Sequence, residues 1–278
     1  MNRIKLRKLI EQFYLEDIGD RDITSSSIFP ETQRGVGSFI AKEAGIVCGL
    51  PVIQEAYRIL DDNIRVTAYK GDGQSIEQGE TIAEVEGPVT HLLTGERVIL
   101  NLLQRMSGIA TITQKSVSLL NSDHTRICDT RKTTPGLRML EKYAVVCGGG
   151  SNHRYGLYDA VMIKDNHIAF SGSISKAVES VRENTGHMVK IEVETETIDQ
   201  VREAVEAGVD IIMFDNRKPE EVREFLGQVP SHIVTEASGG ITLSDLPEYG
   251  NTGVDFVSLG FLTHSVKSLD ISLNVLAK

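Results

Sequence analysis

The sequence predicts a parallel α/β barrel behind a strand-rich N-terminal segment, and three observations carry that expectation. From about residue 125 onward, short apolar runs alternate with amphipathic helical segments, the pattern of a parallel sheet. Nearly every run ends in charged or small polar residues, as at the carboxyl ends of barrel strands. The first hundred residues lack that rhythm and carry short alternating runs broken by glycines.

The N-terminal MNRIKLRKLIEQFYLED fits an amphipathic helix with Ile4, Leu9, Ile10 and Phe13 on one face. Charges interrupt each of its apolar stretches, against a targeting peptide. From Ile64 to Gly87 the chain reads as strands joined by tight turns at Gly71-Asp72-Gly73 and Gly79. These turns offer no lysine, which argues against a swinging-arm carrier hairpin. A helix follows from Leu92 to Met106.

The strand series then runs Arg126–Cys128, Ala160–Ile163, Val189–Val193, Ile211–Phe214, Ile233–Val234 and Phe256–Val257. Between them SISKAVESVREN, ETIDQVREAVEAG and KPEEVREFLG read as helices, the second ending at Gly208. Six or seven such units close most naturally into a barrel. A doubly wound open sheet is the alternative, weakened because no G-x-G-x-x-G follows an early strand.

The 278 residues suffice for one barrel or two modest domains. A formal net charge of −10 argues against general nucleic-acid binding, which needs an extended basic face. No apolar run approaches the ~20 residues of a membrane helix, so a cytoplasmic protein is expected. Cys48, Cys128 and Cys147 are too few for a disulfide framework and match no zinc spacing, so reduced, buried thiols are expected.

Against the acidic background, Arg131 to Arg154 carries five Lys/Arg and one acid, Glu141, with Gly148, Gly149 and Gly150 in a row. Cations among glycines indicate a small polyanion. Arg131, Lys132, His153, Arg154 and Lys164 come from neighbouring strand positions, so a barrel aims them at one volume. Arginine grips planar carboxylates or phosphates through paired hydrogen bonds, and lysine supplies a point charge. Arg138 and Lys142, inside PGLRMLEKYAV, read instead as solvated charges on a structural helix.

Glu194 and Asp215 end successive strands, with Glu192 on the same pleat face as Glu194. Such acids bind Mg²⁺ or sugar hydroxyls, stabilise a developing cation, or serve as structural ion-pair partners. Glu236-Ala237-Ser238-Gly239-Gly240 and Ser258-Leu259-Gly260 follow the last two strands. Small residues there let backbone N–H groups approach a phosphate.

At this point the residues resemble a known family. DTRKTTPGLRMLEKYAVVCGGGSNHRYGLYDAVMIKDNHI, from Asp129 to Ile168, is similar to the signature of quinolinate phosphoribosyltransferases. LEDIGDRDITS, GERVILNLLQRMSGIAT, IEVETET, IIMFDN, EASGGI and SLGFLTHS follow in the family's order, so the likeness spans most of the chain. It implies transfer of ribose 5-phosphate from phosphoribosyl pyrophosphate to the nitrogen of quinolinate, with loss of CO₂, giving nicotinate mononucleotide for NAD synthesis. It also implies an N-terminal open-faced sandwich over residues 1–106, with 266–278 packing back on it. An incomplete, seven-stranded TIM-like barrel would span 107–265.

By the same resemblance, Arg131, Lys132, His153, Arg154 and Lys164, with Arg97 from a partner subunit, would hold quinolinate. Lys132, Lys164, Asn166, His167, Glu194, Asp215, Ser238, Gly239, Gly240, Ser258, Gly260 and His264 would face phosphoribosyl pyrophosphate. Lys132, Lys164, Glu194 and Asp215 would be the catalytic set, and Glu194 and Asp215 direct or indirect ligands of Mg²⁺. No organic cofactor is implied. The partners would be the two substrates and a second copy of the chain in a homodimer with shared sites, with no nucleic acid and no membrane. Arg21 and Phe261 depart from the family's usual glycine and alanine; Phe261 adjoins the phosphate loop and would narrow it.

Three rivals remain in view. A non-decarboxylating nicotinate phosphoribosyltransferase would need fewer cations than this stretch offers. A sugar-phosphate aldolase or epimerase would need a Schiff-base lysine or a metal triad, and Lys164 is the only candidate. A non-catalytic ligand-binding paralogue would be expected to lose Glu194 and Asp215.

Overall fold

The structure, a computed structural model, describes residues 1–277. Helix α1 (Arg3–Ile18) starts where the Asn2 side chain accepts from the Lys5 amide at 3.1 Å. It buries Leu6, Ile10 and Tyr14, while Ile4 is 72% exposed. The expected face of Ile4, Leu9, Ile10 and Phe13 is therefore rotated. A spacing of four keeps Leu6, Ile10 and Tyr14 on one line, and that line meets the next long helix.

Asp22 caps the short α2 (Ile23–Ile28), accepting from Ser25 N at 2.9 Å. There follow β1 (Arg34–Ala41), β2 (Gly45–Ile46), α3 (Leu50–Leu60), β3 (Arg65–Ala68), β4 (Ser75–Ile76) and β5 (Thr81–Pro88). Gly73 and Gly79 take φ of 88° and 87°, the left-handed turns expected between these strands. Helix α4 (Val89–Leu120) is one continuous 32-residue helix, so a domain boundary after residue 106 falls inside it.

The alternating series then begins: β6 (Arg126–Cys128), α5 (Arg138–Cys147), β7 (Val161–Ile163), α6 (Asp165–Ser171), α7 (Ile174–Asn184), β8 (Ile191–Thr195) and α8 (Ile198–Glu206). It continues through β9 (Ile211–Asp215), α9 (Pro219–Leu226), β10 (Val234–Ser238), α10 (Leu246–Gly250), β11 (Phe256–Ser258) and α11 (Phe261–His264), and the chain ends on β12 (Ile271–Ala277). Ser173 and Thr197 cap α7 and α8, each accepting from a backbone amide at 3.2 Å.

Two compact units result. One comprises Met1–Gln114, Thr134–Gly149 and the segment from Ser265 onward; the other comprises Lys115–Thr133 and Gly150–His264. The first is built on an antiparallel sheet of order β12-β1-β5-β3, with Phe39 opposite both Leu273 and Ala83. Inward residues alternate along β1, ending at Phe39 and Ala41, which are fully buried. Lys142, expected to be a solvated charge, is fully buried on α5 in this unit; Arg138 is half-buried.

The second unit carries a six-stranded parallel sheet of order β6-β11-β10-β9-β8-β7. A single parallel bridge from Ser151 to Cys128 extends it beside β6. The seventh strand of the expected barrel is thus reduced to one bridged residue, which leaves the wall open between Ser151 and β7. Arg154 reaches across that seam, donating to Ala160 O at 3.1 Å and touching Met162 Sδ at 3.6 Å.

The strands sort their residues by a period of two. Val193, Ile212, Phe214, Ala237 and Val257 are fully buried, and the helices bring Val178, Val201, Ala204, Val222 and Phe225 as their own buried residues. The apolar core of this unit therefore lies between sheet and helices. The intervening positions, Glu192, Glu194, Met213, Asp215, Glu236 and Ser238, turn to the opposite face, and the site is built there.

Candidate active site

Strand register fixes the first layer of the site. Asp215 is level with Ser238, Ser238 with Ser258, and Ser258 with Cys128, across four neighbouring strands. These carboxyl-terminal positions open into a cavity of about 430 Å³. Its strand-borne walls come in i, i+2 pairs: Met162 with Lys164, Met213 with Asp215, Glu236 with Ser238. The loop after β6 adds Thr130, Arg131 and Lys132, and the segment after Ser151 adds His153 and Arg154.

One cation is paired, and the backbone that carries another is fixed. The Lys164 ammonium pairs with the Glu194 carboxylate. The Lys132 amide donates to Thr130 Oγ1 at 3.0 Å, and Thr263 Oγ1 donates to the Lys132 carbonyl at 2.8 Å. Burial, and after it the like charge of Arg131, holds the Arg154 guanidinium below the usual arginine range. Two guanidinium groups kept close against their own repulsion make a seat for a multiply charged anion.

Beneath them lies a triad of one half-buried histidine and two buried glutamates. His153 is anchored by its amide, which donates to Asp129 Oδ1 at 2.8 Å. Its Nδ1 accepts from the Arg154 amide at 2.8 Å, so the ring hydrogen sits on Nε2. That nitrogen lies 3.2 Å from Glu192 Oε2 and 3.5 Å from Glu236 Oε2. Burial first, then the neighbouring Glu192 charge, pushes the Glu236 carboxyl up to about 7.

The two glycine-bearing loops are shaped by backbone. Gly239 has φ 91°, and a Cβ there would stand 2.4 Å from Asn216 Oδ1. Asn216, itself at φ 54°, donates its amide to Ser238 O at 2.8 Å. The Asp215-Asn216 turn and the Ser238–Gly240 loop thus approach more closely than any side chain at 239 permits. A Cβ on Gly260 would lie 3.0 Å from Lys132 Cδ and 3.1 Å from His264 Cδ2, so these three residues adjoin one another.

Of the residues singled out from sequence, Arg131, Lys132, His153, Arg154, Lys164, Glu194, Asp215, Ser238, Gly239, Gly240 and Ser258 line the cavity. Gly260 and His264 sit beside its Lys132 edge. Asn166 and His167 are exposed on α6 and do not line it; His167 Nδ1 is occupied by the Lys164 amide at 2.9 Å. Arg97 is exposed on α4 in the other compact unit. Phe261 opens α11 and is not among the lining residues.

Glu236, Met162, Met213, Asn216 and Thr130 line the cavity without having been singled out as ligands. A signal for the first three was present: each stands two residues before a strand-end polar residue and so shares its face.

The chain matches two family models, "Quinolinate phosphoribosyl transferase, N-terminal domain" over residues 22–107 and "Quinolinate phosphoribosyl transferase, C-terminal domain" over residues 109–274. It is 58% identical to a probable nicotinate-nucleotide pyrophosphorylase [carboxylating] of Bacillus subtilis, covering 99% of this chain and 95% of that protein. A protein of the same description from Synechocystis is 42% identical, covering 96% and 91%. The crystal structure of NadC from Streptococcus pyogenes superposes with a TM-score of 0.97 at 38% identity, covering 100% of this chain and 99% of that one.

Proposed function

The chain belongs to the quinolinate phosphoribosyltransferase family, and from that premise we propose how its site carries out the family's reaction. The reaction transfers ribose 5-phosphate from phosphoribosyl pyrophosphate to the ring nitrogen of quinolinate, releasing pyrophosphate and CO₂. The product is nicotinate mononucleotide, a precursor of NAD. One observation carries the assignment of roles: Arg131 and Arg154 sit side by side with Lys132 and Lys164 around one cavity, more positive charge than a single carboxylate and a phosphate need.

Arg131 and Arg154, with Lys132, Lys164 and His153, hold the two carboxylates of quinolinate. With both carboxylates fixed, the ring nitrogen faces the anomeric carbon and attacks it without a protein nucleophile; positioning of this kind is worth on the order of 7–11 kcal/mol. Glu194 and Asp215 face the ribose and stabilise the oxocarbenium-like charge that develops there. Loss of the 2-carboxylate as CO₂ then leaves an electron pair on the ring carbon, where the adjacent quaternised nitrogen stabilises it until a proton from water takes the place of the carboxylate. Ser238, Gly239, Gly240 and Ser258, with Gly260 and His264 adjoining Lys132, offer small side chains and backbone N–H groups to the 5-phosphate.

Mg²⁺ fits the donor set. Among the described residues no cation pairs with the Asp215 carboxylate, which receives one bond, from Asn216 Nδ2 at 2.8 Å. Glu194 is shared with Lys164. Asp215, with Glu194 assisting, would hold the ion, which would neutralise the leaving pyrophosphate. Asn166 and His167, outside the cavity, act by shaping α6 and the Lys164 amide.

A homodimer completes the reading, with the exposed Arg97 of one copy supplying a further cation to the partner's site. Among the described residues no helix is long and apolar enough to cross a membrane, in keeping with a cytoplasmic enzyme.

The deciding experiment incubates the purified protein with phosphoribosyl pyrophosphate, Mg²⁺ and either quinolinate or nicotinate. Nicotinate mononucleotide and CO₂ from quinolinate alone are expected; turnover of nicotinate and none of quinolinate sinks the proposal. For the shared site, inactive Arg97→Ala and Lys164→Ala proteins are expected to regain part of the activity when mixed, and a mixture that stays inactive counts against Arg97 acting across subunits.

A further inference from the structure

The fold also brings together two thiols that the transferase chemistry does not use. Cys48 precedes α3 and Cys147 ends α5, about a hundred residues apart in sequence yet in the same compact unit. Their sulfurs and a carboxylate oxygen of Asp72 all lie within 4.8 Å of one another. We propose that Cys48 and Cys147 form a two-thiol redox site, in which a hydroperoxide oxidises Cys147 and Cys48 resolves it to an intrachain disulfide.

The surroundings hold both sulfurs in place. The Cys48 amide donates to Ser107 Oγ at 3.0 Å, and that hydroxyl donates to the Cys48 carbonyl at 3.2 Å. Cys147 is fixed by its place in the last turn of α5, where its carbonyl would stand 3.0 Å from a Cβ on Gly73. Asp72 does not compete for the sulfurs. Its Oδ1 accepts from the Gly49 and Leu50 amides at 2.9 and 3.0 Å, and its Oδ2 from Tyr143 Oη at 2.9 Å. With both carboxylate oxygens already bonded to N–H and O–H donors, the pair is left as two sulfurs rather than a metal-binding set.

The two thiols differ in the way a redox pair requires. Cys48 is fully buried, whereas Cys147 is half-buried, contrary to the expectation that all three thiols are buried. A hydrogen bond from the Cys48 thiol holds the Cys147 thiol below the usual cysteine value, while burial holds Cys48 above it. Tyr143, whose hydroxyl rests on Asp72, lines a neighbouring cavity of about 230 Å³ together with Pro51 and Gln54.

The chemistry balances. The Cys147 thiolate attacks the peroxide O–O bond, taking one oxygen as a sulfenic acid and releasing the other as water after protonation. The Cys48 sulfur then attacks the Cys147 sulfur, the S–O bond breaks, and hydroxide leaves with the Cys48 proton as a second water. Two thiols and one hydrogen peroxide give one disulfide and two waters.

The test treats the reduced, full-length protein with hydrogen peroxide, alkylates remaining thiols after denaturation, and maps the peptides by mass spectrometry. A crosslinked Cys48–Cys147 peptide is expected, abolished by dithiothreitol, with Cys147 consumed roughly ten-fold faster than Cys128. In Cys48→Ser protein, Cys147 is expected to stop at a sulfenic acid that dimedone captures. No crosslink in the folded wild-type protein, oxidation of Cys128 at the same rate, or a chelator-removable metal bound by the thiol pair overturns the proposal.

Discussion

Replacing Glu236 with glutamine tests the triad under the cation cluster. The carboxyl is 4% exposed and its pKa is pushed from an ordinary 4.5 to about 7, by burial and then by Glu192. A raised pKa means the folded protein binds a proton that the unfolded chain has released, so this group's contribution is fully present below pH 4.5. It declines as pH rises and is lost above pH 7. The rise from 4.5 to about 7 makes that loss roughly 3 kcal/mol. Glu236→Gln keeps the shape and removes the titration. Urea unfolding of both proteins from pH 4.5 to 8 is therefore expected to show the variant gaining about 3 kcal/mol on the wild type across that window. Curves that stay parallel, or a variant that loses ground as pH rises, would refute a protonated Glu236 in the folded state.

Three further outcomes follow from named contacts. Glu141 accepts from Arg105 Nε and Nη2 at 2.9 and 2.6 Å and from the Thr134 amide at 3.1 Å, so Glu141→Ala should cost about 3 kcal/mol in urea unfolding, and a cost under about 1 kcal/mol would contradict it. Gly239→Ala forces a Cβ to 2.4 Å from Asn216 Oδ1 at φ 91°, and should raise the KM for phosphoribosyl pyrophosphate several-fold while lowering thermal stability; unchanged kinetics would argue against that loop as the phosphate seat. Lys164 is 43% exposed in its pair with Glu194, so Lys164→Gln should change stability by less than about 1 kcal/mol yet cut kcat/KM by about a hundred-fold or more. A large stability loss without the kinetic one would reverse that assignment.

Much of the barrel was legible in the chain because its strands and helices announce themselves locally. Ile211–Phe214 before Asp215, or Ser173 and Thr197 before helical runs, are short-range patterns of apolar spacing and capping. Misreadings arose where a residue's partner is remote. Ile4 looked as apolar as Leu6, and only the contact with α3 shows which of them is covered. Lys142 read as a surface cation because lysine usually is one; its burial follows from how α5 sits in its unit. His167 falls outside the cavity because helix α6 turns it back to cap the Lys164 amide.

The sequence by itself determined the parallel α/β class, the clustering of cations and strand-end acids, and the family. These depend on residue type and spacing over a few turns, which the linear order preserves. Tertiary structure alone decided that the seventh strand shrinks to the bridge at Ser151, that Arg154 spans the open seam, and that His153 rests on Glu192 and Glu236. It alone paired Cys48 with Cys147. The Arg154 contacts apart, which lie six and eight residues on at Ala160 and Met162, each of those arrangements joins segments far apart in the chain. Whether such groups meet, and how far burial then shifts their charges, is set by sheet register and packing, which no local stretch of sequence encodes.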